Sequence, residues 1–303
     1  MDFAEFQQAA RVTARKTPDD PDSDIIVFLL GLAGEAGSVA SVYKKIKRDR
    51  ESYESWRVHM REELGDTLWY LATLADRLGF SLDDVAQANL EKTQSRWLNT
   101  DAPQLDSLFP PSEQLPRRGR YEFVQSRRAN DDQLEVRIYF EGRQVGNELT
   151  DNSYNDDGYR FHDVFHLAYA VLLGWSPLMR SLLHRKRKSR PEIDEAQDGG
   201  RAIVLEEAVA AIAFAYGVQH HNLENVTRLD ESLLDVIAST VSLLEVGVRS
   251  AADWEDAILQ GFEMFRELLA HGGGSVEFDA DARTLTFVAP DQPGVKGGSQ
   301  TSR

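Results

Sequence analysis

The chain has 303 residues, 42% of them hydrophobic, with 34 Lys and Arg against 50 Asp and Glu, a formal net charge of −16 and no cysteine. Such a length and apolar fraction support two compact domains of a soluble globular protein. Disulfides, thiolate zinc sites and a cysteine nucleophile are excluded, so a metal must use oxygen or imidazole ligands, and the acidic balance argues against stable nucleic-acid binding, which rests on basic surface.

Residues 2–97 read as helix, with breaks near Pro18–Pro21, around Arg48–Ser55 and at Gly79. In the helix from about Ile25 to Lys47, the apolar stripe is Ile25, Leu29, Leu32, Ala36, Val39 and Tyr43; in the next, Glu54 to Leu78, it is Met60, Leu64, Leu68, Leu71 and Leu78. Ser81 followed by Asp84 marks the N-terminus of a third helix ending near Trp97. The proline-rich stretch 101–120 reads as a linker. Beyond it, Tyr121–Ser126 and Leu134–Glu141 alternate as a β-hairpin, a polar loop follows, and helices are predicted at Phe161–Leu173, Pro177–Lys186, Ala202–Val218, Glu231–Val248 and Asp253–Ala270. A second hairpin over 276–288 precedes a Gly/Ser tail, 291–303, that composition predicts to be disordered. The longest apolar runs, Ile25–Leu30 and Ala208–Tyr216, are too short to cross a bilayer, and the N-terminus lacks a signal-peptide hydrophobic region. The expectation is a cytoplasmic protein with no membrane partner.

On the second helix His59, Glu63, Asp66 and Tyr70 form a stripe beside the apolar one, and Glu35 on the preceding helix can face Glu63 across the hairpin. Carboxylates at the edge of a core suit a hard cation with oxygen ligands, Mg²⁺ above all; the plainer alternative is a solvated acidic face. The segments GlyLeuAlaGlyGluAlaGly, GluGluLeuGlyAspThrLeuTrpTyrLeu and AsnLeuGluLysThrGlnSerArgTrp, spread over roughly residues 1–97, resemble the MazG-like all-α nucleoside triphosphate pyrophosphohydrolases. That resemblance implies a four-helix core, oligomerisation to a homodimer or homotetramer, and hydrolysis of an NTP or dNTP to the monophosphate and pyrophosphate, with Mg²⁺ or alternatively Mn²⁺ as cofactor. The family's ExxE and ExxD metal pattern maps onto Glu35-Ala-Gly-Ser38 and Glu63-Leu-Gly-Asp66, with Ser38 departing from it, since a hydroxyl cannot supply the missing charge. Asn89, Lys92 and Arg96 match substrate-contacting positions. In the mechanism this implies, Glu35, Glu63 and Asp66 hold the metal, Glu62 takes a proton from the attacking water, and Lys44, Lys45 and Lys92 neutralise phosphate. Trp69 and Tyr70 either stack on a base or pack at a seam; packing is the preferred reading.

A second constellation lies in TyrArgPheHisAspValPheHis, which puts His162 and His166 on one helical face with Asp163 between them. Glu206 and Glu207 head an otherwise apolar helix and can complete a mixed histidine/carboxylate site. A faint internal repeat sets Glu207 and Asp235 on Glu35 and Asp66, which adds Asp235 to the candidates. Helix capping and packing are the alternative roles for these histidines. The run HisArgLysArgLysSerArg at 184–190 is the evident anion-binding candidate in so acidic a chain.

The resulting expectation is a mainly α protein: a MazG-like helical domain at 1–100, then an α+β domain at 121–290 with two β-hairpins and a helical core, either a divergent relative of the first or an appended phosphate-handling domain. Its expected activity is Mg²⁺-dependent pyrophosphohydrolysis; the alternative is a non-catalytic nucleotide-sensing module with the second domain as effector.

Overall fold

The computed structural model describes residues 1–14, 21–100, 104–154 and 156–290. Residues 15–20, in the first predicted break, 101–103, Asn155 of the polar loop and the tail 291–303 lie outside them. The chain forms two compact units, Met1–Gln94 and Ser95–Arg303.

The first unit is all helical: α1 (Phe3–Thr13), α2 (Pro21–Asp49), α3 (Trp56–Leu78) and α4 (Leu82–Trp97), the last running on into the second unit. Asp2 opens α1 with a capping box to Glu5. Gly79, at φ 76°, ends α3 in the left-handed conformation that only glycine adopts without strain. Gln7 of α1 ties the chain beyond that turn, donating from Nε2 to Phe80 O (2.8 Å) and accepting from Leu82 N (2.9 Å). The hairpin α2/α3 closes tightly because Gly31 leaves room for the Tyr70 ring: a Cβ there would stand 2.1 Å from Tyr70 Cε1.

The predicted apolar stripes are corrected here. On α3 the buried residues are Ala72, Thr73, Leu74 and Ala75, whereas Leu64, Leu71 and Leu78 are exposed; on α2 Phe28 and Val42 are buried, while Leu29 and Tyr43 are exposed. Small residues let the helices approach, so the buried face is the one the alanines define, and the bulky side chains face away. The main core cluster of this unit is accordingly small: Ala10, Ala72, Ala75 and Leu82, with Phe6 and Trp69 packed against it.

The second unit is α+β. One antiparallel sheet, ordered β3-β2-β1-β4-β5, joins both predicted hairpins: β1 (Arg118–Arg127), β2 (Leu134–Phe140), β3 (Arg143–Leu149), β4 (Gly273–Asp279) and β5 (Thr284–Val288). Tyr121 pairs with Phe140 on one side and Val276 on the other, which brings the two ends of this unit's sequence together. Period-2 alternation turns Tyr121, Phe123, Val136 and Ile138 into the core, where they join Phe161, Phe165, Phe262 and Phe265 in one cluster. The helices are α5 (Asp163–Ala168), α6 (Pro177–Leu182), α7 (Pro191–Ala196), α8 (Gly200–Gln219), α9 (Glu231–Val241) and α10 (Ala251–His271). The helix predicted over 161–173 is in three parts, a 3₁₀ turn at Tyr159–Phe161, α5, and a π-helical turn at Tyr169–Leu173.

Residues 104–117, inside the predicted linker, pack as part of this unit. Fully buried Asp106 accepts from Leu115 N (2.7 Å) and from Arg180 Nη2 (2.7 Å), and also holds Arg117. The guanidinium groups draw the Asp106 carboxyl below its ordinary pKa although burial, the largest influence, acts the other way. By length and composition alone the stretches Ile25–Ser52 and Pro191–Gln219 would also suffice to cross a bilayer, a test that the core helix of a soluble protein passes as well. No run of bulky residues in them is long, but interspersed Gly and Ala extend the charge-poor stretch.

Candidate active site

In the first unit α2 and α3 bring Glu35, Glu63 and Asp66 together: one carboxylate oxygen from each lies within 4.8 Å of the others. Glu63 and Asp66 stand one turn apart on α3, and Glu35 reaches them from α2. Glu35 and Glu63 are half-buried and Asp66 is exposed, so the cluster opens to solvent. Among the described residues none of the three is ion-paired with Lys or Arg. Three converging carboxylates without a fixed counter-charge fit a hard divalent cation, which takes oxygen donors and retains positions for water or phosphate.

The other predicted residues of this site are spread around the cluster. Glu62 is exposed on α3, one turn from Asp66. Lys44 and Lys45, exposed near the end of α2, stand about 14 Å along the helix axis from Glu35. Asn89 and Lys92 are exposed, one turn apart on α4. Arg96, within the second unit, donates to Glu255 Oε2 (3.2 Å) and to Leu229 O (3.0 Å). His59 likewise turns to Tyr53, whose hydroxyl is 2.6 Å from its Nδ1. The indole of Trp69 donates to Thr13 Oγ1 (2.8 Å) and its ring meets Tyr70 edge-on at 5.0 Å, with Phe28 beside both, which is packing and not an open stacking platform.

In the second unit α5 and α8 bring together His162, His166 and Glu207, again with one ligand atom of each within 4.8 Å of the others. Glu206 does not join them directly. Fully buried, it accepts from Ser176 Oγ (2.6 Å) and Leu178 N (2.8 Å), and it contacts His166 Nδ1 at 2.9 Å. Ser176, which sequence reasoning missed, also caps α6 by accepting from Met179 N (3.0 Å). His162 Nδ1 lies 2.8 Å from Tyr159 O, its ring stacks on Tyr159 at 4.2 Å, and its Nε2 is 3.2 Å from Asp163 Oδ1. His166 Nε2 is buried, has no hydrogen-bond partner, and lies 3.5 Å from Glu207 Oε2. Burial opposes charge on His166, but Glu206 and Glu207 hold its pKa up to about 10. Glu207 is in turn drawn below its ordinary value, first by His166.

Asp235 is exposed on α9 and belongs to neither cluster, so the repeat-based alignment places only Glu207 at a site. The basic run is also corrected as an anion patch. Buried Arg187 is held by Asp198 (2.7 Å) and Glu245 (2.6 Å), Arg185 donates to Pro111 O (2.8 Å), and Arg190 lies over the Phe109 ring.

Comparison with known families assigns residues 27–99 to the MazG nucleotide pyrophosphohydrolase domain and residues 100–291 to the MazG C-terminal domain. This chain belongs to the MazG family. The first carboxylate cluster therefore lies wholly in the MazG nucleotide pyrophosphohydrolase domain, and the histidine cluster wholly in the MazG C-terminal domain. The Gene 37 protein of Mycobacterium phage L5 is 50% identical to this MazG chain over 40 residues, 13% of the chain and 35% of the phage protein. The match thus spans about a third of that relative's length. No solved structure matches the chain.

Proposed function

We propose that the first unit hydrolyses a nucleoside triphosphate, NTP or dNTP, to the nucleoside monophosphate and pyrophosphate, with Mg²⁺ as cofactor and Mn²⁺ able to replace it. The observation that carries this is the convergence of Glu35, Glu63 and Asp66 inside the stretch matching the MazG nucleotide pyrophosphohydrolase domain. When bound, a divalent cation supplies charge neutralisation for phosphate oxygens and acidity to water. Glu35, Glu63 and Asp66 would hold it, two of them half-buried and so restricted in orientation. Glu62, an i,i+4 neighbour of Asp66 on one face of α3, is the group that would take the proton of the attacking water. Lys44, Lys45, Asn89 and Lys92, all exposed, provide contacts for phosphate. We place the activity in the cytoplasm of a homodimeric or homotetrameric protein without stable nucleic-acid binding, the last resting on the charge of −16.

A panel of NTPs and dNTPs assayed with Mg²⁺ or Mn²⁺ for pyrophosphate against orthophosphate release tests this. Pyrophosphate is expected. Asp66→Asn and Glu63→Gln are each expected to reduce turnover by more than about 100-fold, since losing a mere outer-shell partner of a metal already costs 10–100-fold. Wild-type turnover in both variants, or orthophosphate as the product, overturns the assignment. Triphosphate binding with no turnover of any substrate supports the sensing role instead.

A further inference from the structure

We propose that the second unit carries a metal site of its own, in which His162, His166 and Glu207 bind one divalent transition metal of the zinc class. Three features beyond proximity support it. First, both imidazoles are held through Nδ1, His162 by the Tyr159 carbonyl and His166 by Glu206, so that Nε2 of each is the nitrogen turned toward the cluster, where it meets only carboxylates, Asp163 at 3.2 Å and Glu207 at 3.5 Å. Metal-ligating histidines are oriented in this way, through a carbonyl or carboxylate on the other nitrogen. Second, His166 Nε2 is fully buried without a hydrogen-bond partner, a costly arrangement that a metal bond relieves. Third, the support is built in depth: Glu206 itself is held by Ser176 Oγ and Leu178 N, so it does not rotate away from His166.

The donor chemistry selects the ion. Two nitrogens and one carboxylate suit Zn²⁺ and its neighbours, whereas Mg²⁺ prefers the all-oxygen cluster of the first unit. Three protein donors, not four, is the count of zinc sites that keep a position for an exogenous ligand. Asp163 Oδ1 stands 3.2 Å from His162 Nε2, so an arriving ion takes that nitrogen from Asp163. Glu206 is a positioning residue here: it touches His166 and not the ion.

The test is Zn²⁺ and Co²⁺ binding to the full chain in which Glu35→Gln, Glu63→Gln and Asp66→Asn have removed the first cluster. Calorimetry should give one equivalent of tight Zn²⁺, and Co²⁺ should give the visible absorption of a low-coordinate nitrogen-containing site. Adding Glu207→Gln, at a part-exposed position that the fold tolerates, or His162→Asn should abolish both signals. Glu206→Gln should retain the Co²⁺ spectrum while weakening Zn²⁺ binding about 10–100-fold. No tight equivalent in the parent, or an equivalent that survives both Glu207→Gln and His162→Asn, as binding by the exposed His184, His220, His221 or His271 would, overturns the proposal.

Discussion

Asp106 and Arg180 show how buried charge pairing holds the second unit together, with Arg117 also on Asp106 and Asp198 3.7 Å from Arg180 Nε. Both side chains are almost wholly buried, and the pair links the segment before β1 to α6. Removing one partner leaves the other charged and desolvated, which costs about 3–5 kcal/mol, so Asp106→Asn should lower the urea midpoint markedly at pH 7. The pH dependence has a definite sign. Because the folded-state pKa of Asp106 lies below the ordinary 3.8, its contribution is complete above that value and is lost as the pH falls through the folded pKa. The stability gap between wild type and Asp106→Asn should therefore be flat from pH 7 to about 5 and narrow below pH 4; a gap independent of pH down to 3 would contradict it. Proline content made 101–120 look like free chain, and Arg180, 74 positions from Asp106, lies too far along the sequence for local pattern to find. The pairing of Arg96 with Glu255, 159 positions away, is hidden in the same way. By contrast, the i,i+4 histidines and the ExxD step were legible, because helical spacing alone places such residues on one face. Which ring nitrogen of His166 meets Glu206 and which meets Glu207 was not legible: neighbouring residues on a helix differ only in direction, and the packing of α8 decides it.

At the scale of elements, close approach of helices sets the geometry of both clusters. In α8, which carries Glu206 and Glu207, Gly217 packs against α10: a Cβ there would lie 2.1 Å from Cζ of fully buried Phe262. The ring cannot move into solvent, so Gly217→Ala should destabilise by about 1–3 kcal/mol through overpacking, offset by about 1 kcal/mol of helix propensity. Combining it with Phe262→Leu should recover part of the loss, a non-additivity that denaturant unfolding of the two single variants and the double variant measures. Purely additive losses would show that Phe262 is not what the new methyl meets. Sequence patterning served the elements unevenly. Alternation in 121–126 and 134–141 identified their hairpin, but β3, Arg-Gln-Val-Gly-Asn-Glu-Leu, is a polar edge strand in which Val145 is the one buried residue, too little signal for a strand. The α3 stripe misled because hydrophobicity marks the bulky leucines, while close approach in this unit is set by Gly31 against Tyr70 in the α2/α3 hairpin and by Ala72 and Ala75 beside Ala10 of α1.

For the whole molecule, the decisive imbalance lies in the first unit, whose main core cluster of four buried residues coexists with broad apolar exposure. Ile26 is 55% exposed, Leu30 69% and Leu64 53%, and Val27, Leu29, Leu71 and Leu78 add to them. So many exposed large apolar side chains on one helical hairpin point to an interaction face, and a second copy of the same hairpin presents matching apolar helices. Light scattering of the full chain at micromolar concentration should give a dimer or tetramer. The variant Leu30→Arg/Leu64→Arg separates this from mere surface hydrophobicity. At solvent-facing positions of a monomer such changes alter stability by no more than about 0.5 kcal/mol, whereas at an oligomer seam they place charges in an apolar contact and should shift the mass to that of one chain. A wild-type mass of one chain, or an unchanged oligomer in the double variant, would show that these leucines are not where copies meet. Since Ile25–Ser52 also has the length and composition of a membrane span, vesicle flotation of the wild type belongs in the same experiment. The self-association expected here predicts that the protein stays with the soluble fraction, because each copy covers the apolar face of the other.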